Sequence, residues 1–158
     1  MIHHSRPVQL NRWRGASAVL FAATLLTAAR ADSYCRDPMP SVAADFADTE
    51  AVFVGKAVAA QDAPVLCGDG GWTYLLDVKR VFRGNLGKTI EVSTENNSGR
   101  YPLEVGKEYL LFAKRACGAL MIYGCEYSAP VEEAAPTILQ LEQIVKERAK
   151  AAGGAPPH

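Results

Sequence analysis

An apolar run from 16 to 29 (ASAVLFAATLLTAA) constrains this chain more than any other feature, because it divides export signal from folding domain. Arg6, Arg12 and Arg14 precede it, no acid occurs before Asp32, and Ala29-Arg30-Ala31 follows with small residues where a signal peptidase reads them. Its fourteen residues fall short of the roughly twenty that span a bilayer, so a cleaved signal is expected over residues 1–31 rather than a permanent membrane anchor. The folding unit is then residues 32–158, secreted or periplasmic. It is one domain by size, expected over 32–151 with a flexible tail over 152–158.

Removing the signal changes the chemistry on offer. All 17 acids but only 13 of the 17 basic residues remain, a formal charge of −4, which argues against a nucleic-acid partner. Of three histidines only the terminal His158 is left, so a histidine-based nucleophile or metal site has no material. Cys35, Cys67, Cys117 and Cys125 all follow the signal, with no C-x-x-C among them; an even count in an oxidising compartment reads as two disulfides with three possible pairings. Bridged cysteines would leave no soft metal ligand. The acid pairs Asp45/Asp48 and Glu132/Glu133 read as solvated surface. Residues 67–71 (CGDGG) lack both the Lys-Ser/Thr of a phosphate loop and the ligand series of a calcium loop. Asn96-Asn97-Ser98 fits a glycosylation sequon, a pattern common by chance. No catalytic residue, metal ligand or cofactor is expected, and the chain is read as no enzyme.

The rest of the pattern is mostly strand. In 72–82 (WTYLLDVKRVF), Trp72, Tyr74, Leu76 and Val78 share one parity, with Thr73, Asp77 and Lys79 on the other. The alternation then shifts, so a bulge is predicted near Lys79-Arg80. Residues 51–60 are apolar and β-rich with Gly55 marking a bend or close approach, 61–71 reads as a loop, and 88–94 is a strand with Ile90 and Val92 inward. Residues 108–115 and 119–123 are strands around Cys117-Gly118. Val42 and Phe46, four apart, predict a short helix in 40–48. Pro136 suits a helix start, after which Ile138, Leu141, Ile144 and Val145 form an apolar stripe ended by Gly153-Gly154. Five short strands with helices near the two ends predict a mainly β domain, a small barrel or a sandwich.

Several segments together resemble the netrin-like domain and the tissue inhibitors of metalloproteinases, especially their small bacterial relatives. The likeness runs through Cys35 with Pro38 and Pro40, residues 48–58 (DTEAVFVGKAV), 74–84 (YLLDVKRVFRG), 105–113 (VGKEYLLFA), and Gly118-Ala119-Leu120 leading to Cys125. The resemblance implies a five-stranded OB-like barrel, stapled by disulfides, with a short N-terminal helix and a C-terminal helix. It also implies a Cys35–Cys125 bridge, which leaves Cys67 and Cys117 for each other; the rival pairing, Cys35–Cys67 with Cys117–Cys125, stays open. The family commonly opens C-x-C, its first cysteine pairing with one before the fourth strand. Here Ser33 and the stretch 97–101 (NSGRY) stand in those places, so both halves of that bridge are absent together.

The function implied is that of an exported, non-enzymatic binding module for an extracytoplasmic protein or glycan. The N-terminal edge, Asp32, Ser33, Tyr34 and Cys35, is the candidate partner-binding segment. The alternative is a metalloendopeptidase inhibitor acting through that same edge. In the animal members the resemblance implies that the amine and carbonyl of an N-terminal cysteine chelate the protease's zinc. Cleavage after Ala31 makes Asp32 the terminus instead, and Asp32 and Tyr34 are poor residues for a cut before Cys35. Five tyrosines (74, 101, 109, 123 and 127) are further contact candidates or simply core and rim. Lys79, Arg80, Arg83 and Lys88 around one turn could meet an acidic glycan or form a solvated basic hairpin.

Overall fold

A computed structural model of the chain describes residues 38–63, 70–97 and 99–153. The expected signal peptide, the edge Asp32–Cys35, Cys67, Ser98 and residues 154–158 lie outside the described residues.

A short helix α1 (Val42–Asp48) opens the described chain. Ser41 starts it as its N-cap: the side-chain oxygen accepts from Ala44 N at 3.2 Å, satisfying a donor the first turn cannot. Strands follow at β1 (Ala51–Ala63), β2 (Gly71–Arg83), β3 (Thr89–Glu95), β4 (Glu108–Ala116), β5 (Ala119–Ile122) and β6 (Ala129–Pro130), and the helix α2 (Ala135–Gly153) closes the chain. The sheet order is β1-β2-β3-β5-β4-β6, with β1 also paired to β4. Five strands therefore close a ring. The short β6 pairs with β4 through Tyr109↔Pro130 and Leu110↔Ala129, on the edge that β5 uses further along, β1 holding the other edge.

The ring explains why two strands read as unbroken apolar runs. One core cluster draws Phe53, Tyr74, Leu76, Val92, Leu111 and Ile122 from all five ring strands, which makes it the ring's interior. The second puts Val52 and Val54 of β1 and Leu110 and Phe112 of β4 against Val42 and Phe46 of α1 and Leu141 of α2. β1 and β4 are thus buried on both faces, and alternation disappears where both parities are apolar. β2 and β3 have helix cover over little of their outer face, so their alternation survives.

The bulge expected near Lys79-Arg80 is present. Gly55 pairs with Val78 and Val54 with Arg80, so Lys79 is the extra residue. Phe82 is skipped in the same way between Val81 and Arg83, and Val58 between Ala57 and Ala59. Each extra residue sharpens the local twist and bends the strand, which a small ring requires.

Several expectations need correction. Gln61, Asp62 and Ala63 are strand, not loop, pairing with Thr73, Trp72 and Gly71. β1 and β2 are accordingly long at 13 residues each. Trp72 has the interior parity but is exposed, because the β1–β2 ribbon runs past the end of the core there. Val145 is exposed too, and α2 contacts the ring through Leu141 with Ile138 and Ile144 at its margin. Strand β5 stops at Ile122, one residue before Tyr123. β6 went unforeseen, since two residues carry no periodicity.

Candidate functional site

The sequence offered four places to look, and the structure separates them. The basic hairpin is largely committed to structure. Arg80 forms a 2.6 Å ion pair with Glu142 of α2, and its guanidinium lies 4.5 Å from the Phe82 ring centroid. Arg83 donates from Nε to the Thr49 carbonyl at 2.5 Å and lies over Phe46. The tyrosines are mainly core and rim. Tyr74 and Tyr109 are buried. The Tyr109 hydroxyl accepts from Glu104 N, and Tyr101 meets the Tyr109 ring edge-on. Burial, with smaller contributions from Tyr109 and Glu133, pushes the Tyr101 phenol up to about 12. Cys117 sits in the β4–β5 turn at a positive φ of 51°, and neither it nor Cys125 is a free thiol. The N-terminal edge itself lies outside the described residues, but the surface that receives residue 38 onward does not.

That surface carries a recess of about 390 Å³ lined by Pro40, Ala44, Asp45, Asp48, Lys114, Tyr123, Cys125 and Glu126. Three segments build it. α1 supplies Asp45 one position before Phe46; the pull of Val42 and Phe46 into the outer core carries Asp45 down with them, to 3% exposure. β4 supplies Lys114, which has the parity of Leu110 and Phe112 and so points where they point, toward α1. The turn after β5 supplies Glu126. It is held at both ends: Gly124 N donates to Gly99 O at 2.9 Å, and the Ser128 hydroxyl accepts from Phe112 N at 3.0 Å. Beside Glu126, the Tyr127 hydroxyl donates to Pro40 O at 2.8 Å and fixes the opposite rim.

Lys114 Nζ is the hub. It lies 2.9 Å from Glu126 Oε1, 3.3 Å from Asp45 Oδ1 and 3.8 Å from Asp48 Oδ2. Desolvation works against its charge, but the hydrogen bond and attraction of Glu126, then those of Asp45, outweigh it, and its pKa is raised. The amine is therefore held as an ammonium. Glu126, with only 7% of its side chain exposed, is raised as well: burial dominates, Lys114 opposes it, and Asp45 and Asp48 add repulsion. Two oxygens, Asp45 Oδ2 and Glu126 Oε2, are buried with no hydrogen-bond partner among the described residues. One ammonium thus serves three carboxylates, two of them buried.

A second recess, of about 520 Å³, lies between β2–β3 and the β4–β5 turn and includes Gln61, Thr73, Ser93, Arg115 and Leu120. Its central polar pair is satisfied internally, Thr73 Oγ1 and Ser93 Oγ lying 2.9 Å apart. Burying an unpartnered charged oxygen costs more than burying a satisfied hydroxyl, so the first recess is the less satisfied of the two. Among the described residues no cluster of three or more His, Cys, Asp or Glu is arranged to hold a metal ion, and no helix is long and apolar enough to cross a membrane.

Sequence reasoning treated Asp45 as half of a solvated acid pair and did not single out Lys114 or Glu126. A signal for Lys114 existed in its parity with Leu110 and Phe112. Glu126 had none, since its place depends on the anchoring of a turn. No protein-family model matches the sequence and no curated protein matches it.

Proposed function

We propose that the chain is an exported, non-enzymatic binding module of the TIMP/netrin-like type, an OB-like barrel that engages an extracytoplasmic protein through its N-terminal edge and the acidic recess beside it. The closed strand order with a parallel β3–β5 contact at Ser93↔Met121 supports the barrel reading. Cys125 in the recess wall, near Pro40, supports a Cys35–Cys125 bridge, because Cys35 precedes Pro40 by only five residues. Cys67–Cys117 is then the second bridge. The function rests on one observation: a surface recess in which a single ammonium, that of Lys114, stands among three carboxylates. A recess of that sign repels an acidic glycan and favours a protein. A lysine held as its ammonium is no nucleophile or base, which supports the non-enzymatic reading.

A photo-crosslinking residue at Ala44, exposed on the recess rim, tests this in the exported protein. The expected result is a crosslink to one envelope or extracellular protein that a probe at exposed Leu139 on α2 does not give. Equal labelling from both positions would sink the proposal. A zinc protease as the crosslinked partner, together with inhibition by the purified protein, would select the inhibitor alternative.

A further inference from the structure

We infer that the far half of β1, Val58 to Ala63, is a self-association edge, on which a second copy of this chain pairs its own Val58 to Ala63 antiparallel about a two-fold axis. The inference uses a different surface from the acidic recess and goes beyond the binding-module reading.

Three observations carry it. The first is an uncovered edge. β4 lies against β1 from Ala51 to Lys56, and the turn before β4 reaches one residue further, Ala57 N donating to Lys107 O and Gly106 N to Ala57 O. From there β1 runs on beside β2 alone, as far as Ala63↔Gly71. An antiparallel strand turns the backbone groups of alternate residues to opposite sides, so about half of these residues aim N–H and C=O away from β2. No described residue pairs with them on that side, and Val58 to Asp62 are all exposed.

The second observation is that this edge is undefended. An uncovered edge invites a further strand, and chains blunt such edges with lysine, proline or bulges. β2 shows the defence. β3 leaves it after Asp77↔Thr89 and the bond from Val78 N to Lys88 O, and the uncovered stretch Lys79 to Arg83 carries three cations and two bulged residues, Lys79 and Phe82. Residues 58–63 (VAAQDA) carry no lysine, arginine or proline, one acid, and one bulged residue, Val58, at the very start.

The third is self-complementarity. With the two-fold axis at Gln61, Gln61 faces Gln61 of the second copy, Ala60 faces its Asp62 and Ala59 faces its Ala63. An amide both donates and accepts, so the glutamine pair is reciprocal. Asp62, the one charge, meets an alanine and not its own copy, whereas like charges placed opposite each other destabilise a sheet. Exposed Trp72 and Leu75 stand one strand behind, beside Asp62 and Ala59, so the continued sheet β2-β1-β1-β2 covers apolar surface as well as backbone. Such an interface is isologous, each copy giving the same strand. Six residues a side are few beside the roughly 20–30 of a stable interface, so the dimer is weak and depends on concentration.

Sedimentation equilibrium of the exported protein, carried up to about 1 mM, should show a monomer–dimer equilibrium. Amide hydrogen exchange within 58–63 should slow as concentration rises. Gln61→Lys sets two like charges at the axis and should weaken association at least tenfold; Gln61→Glu, nearly isosteric, does the same if the lysine variant misfolds. Lys79→Gln, on the other uncovered edge, should leave association unchanged. A monomer at every concentration, an unweakened dimer in a folded Gln61 variant, an equal loss in Lys79→Gln, or protection confined to another segment would overturn the inference. So would slowed exchange in 58–63 that appears only when a different protein is added, because the edge would then belong to that protein's strand.

Discussion

Replacing Lys114 by Met removes the only cation within 4 Å of Asp45 and Glu126 among the described residues while keeping most of the side-chain volume. Taking one partner from a buried ion pair costs about 3–5 kcal/mol, because the remaining charge is stranded. Lys114 is 30% exposed, so water reaches the site after the change and the lower end, about 3 kcal/mol at pH 7, is expected. At roughly 3–5 °C per kcal/mol for a domain of this size, the melting temperature falls by about 10–15 °C. The loss should shrink on acidification. A Glu126 pKa raised above its ordinary 4.5 means that the folded chain holds this proton more tightly than the unfolded one. That contribution to stability is complete below pH 4.5 and is lost as pH rises through the folded pKa. Without Lys114 the opposing attraction disappears, the folded pKa climbs further, and the pH dependence steepens. Urea unfolding at pH 7 and pH 4 measures both. A cost below about 0.5 kcal/mol at pH 7, as for an exposed pair, or one equal at the two pH values, refutes the stranded-charge reasoning. Adding Glu126→Gln should restore at least about 1 kcal/mol at pH 7, since one of the stranded charges is gone.

Other parts of the fold make separate commitments. Leu141 is fully buried and is the main contact of α2 with the outer core, so Leu141→Ala should cost about 2–5 kcal/mol by chemical denaturation. Gly71 has Thr94 O where a Cβ would stand, so Gly71→Ala must separate β2 from β3 at that end; a loss of at least about 2 kcal/mol is expected, and no loss would show that the strands are not paired there. Tyr101 keeps its proton in the folded chain up to about 12 against 10.0 unfolded, so stability is whole below pH 10 and falls between 10 and 12. Ultraviolet titration should show a late phenol that Tyr101→Phe removes.

Sequence alone disclosed more of the fold than of the recess, for physical reasons. Alternation in β2 is visible because one face of that strand meets the core, and the parity break at Lys79-Arg80 marks a real bulge. The doubly buried β1 and β4 remain identifiable by their apolar density. Trp72 misleads because parity gives the face of a strand but not where the core ends along it. The recess is harder. Asp45 is buried by the neighbours that drag it inward, Glu126 by the anchors at Gly124 and Ser128, and each has meaning only beside Lys114, 69 and 12 positions away in sequence. Isolated acids read as surface because most acids are surface. Their convergence belongs to tertiary structure.

The recess between α1 and β4 is held to carry buried carboxylates that Lys114 alone does not satisfy. The titration of Glu126, followed by its carboxyl carbon shift in the protein alone, tests this most directly. A midpoint above 4.5 is expected, and Lys114→Met should raise it further. A midpoint at or below 4.5 in the free protein would mean that Lys114 already satisfies the carboxylates, and would contradict it.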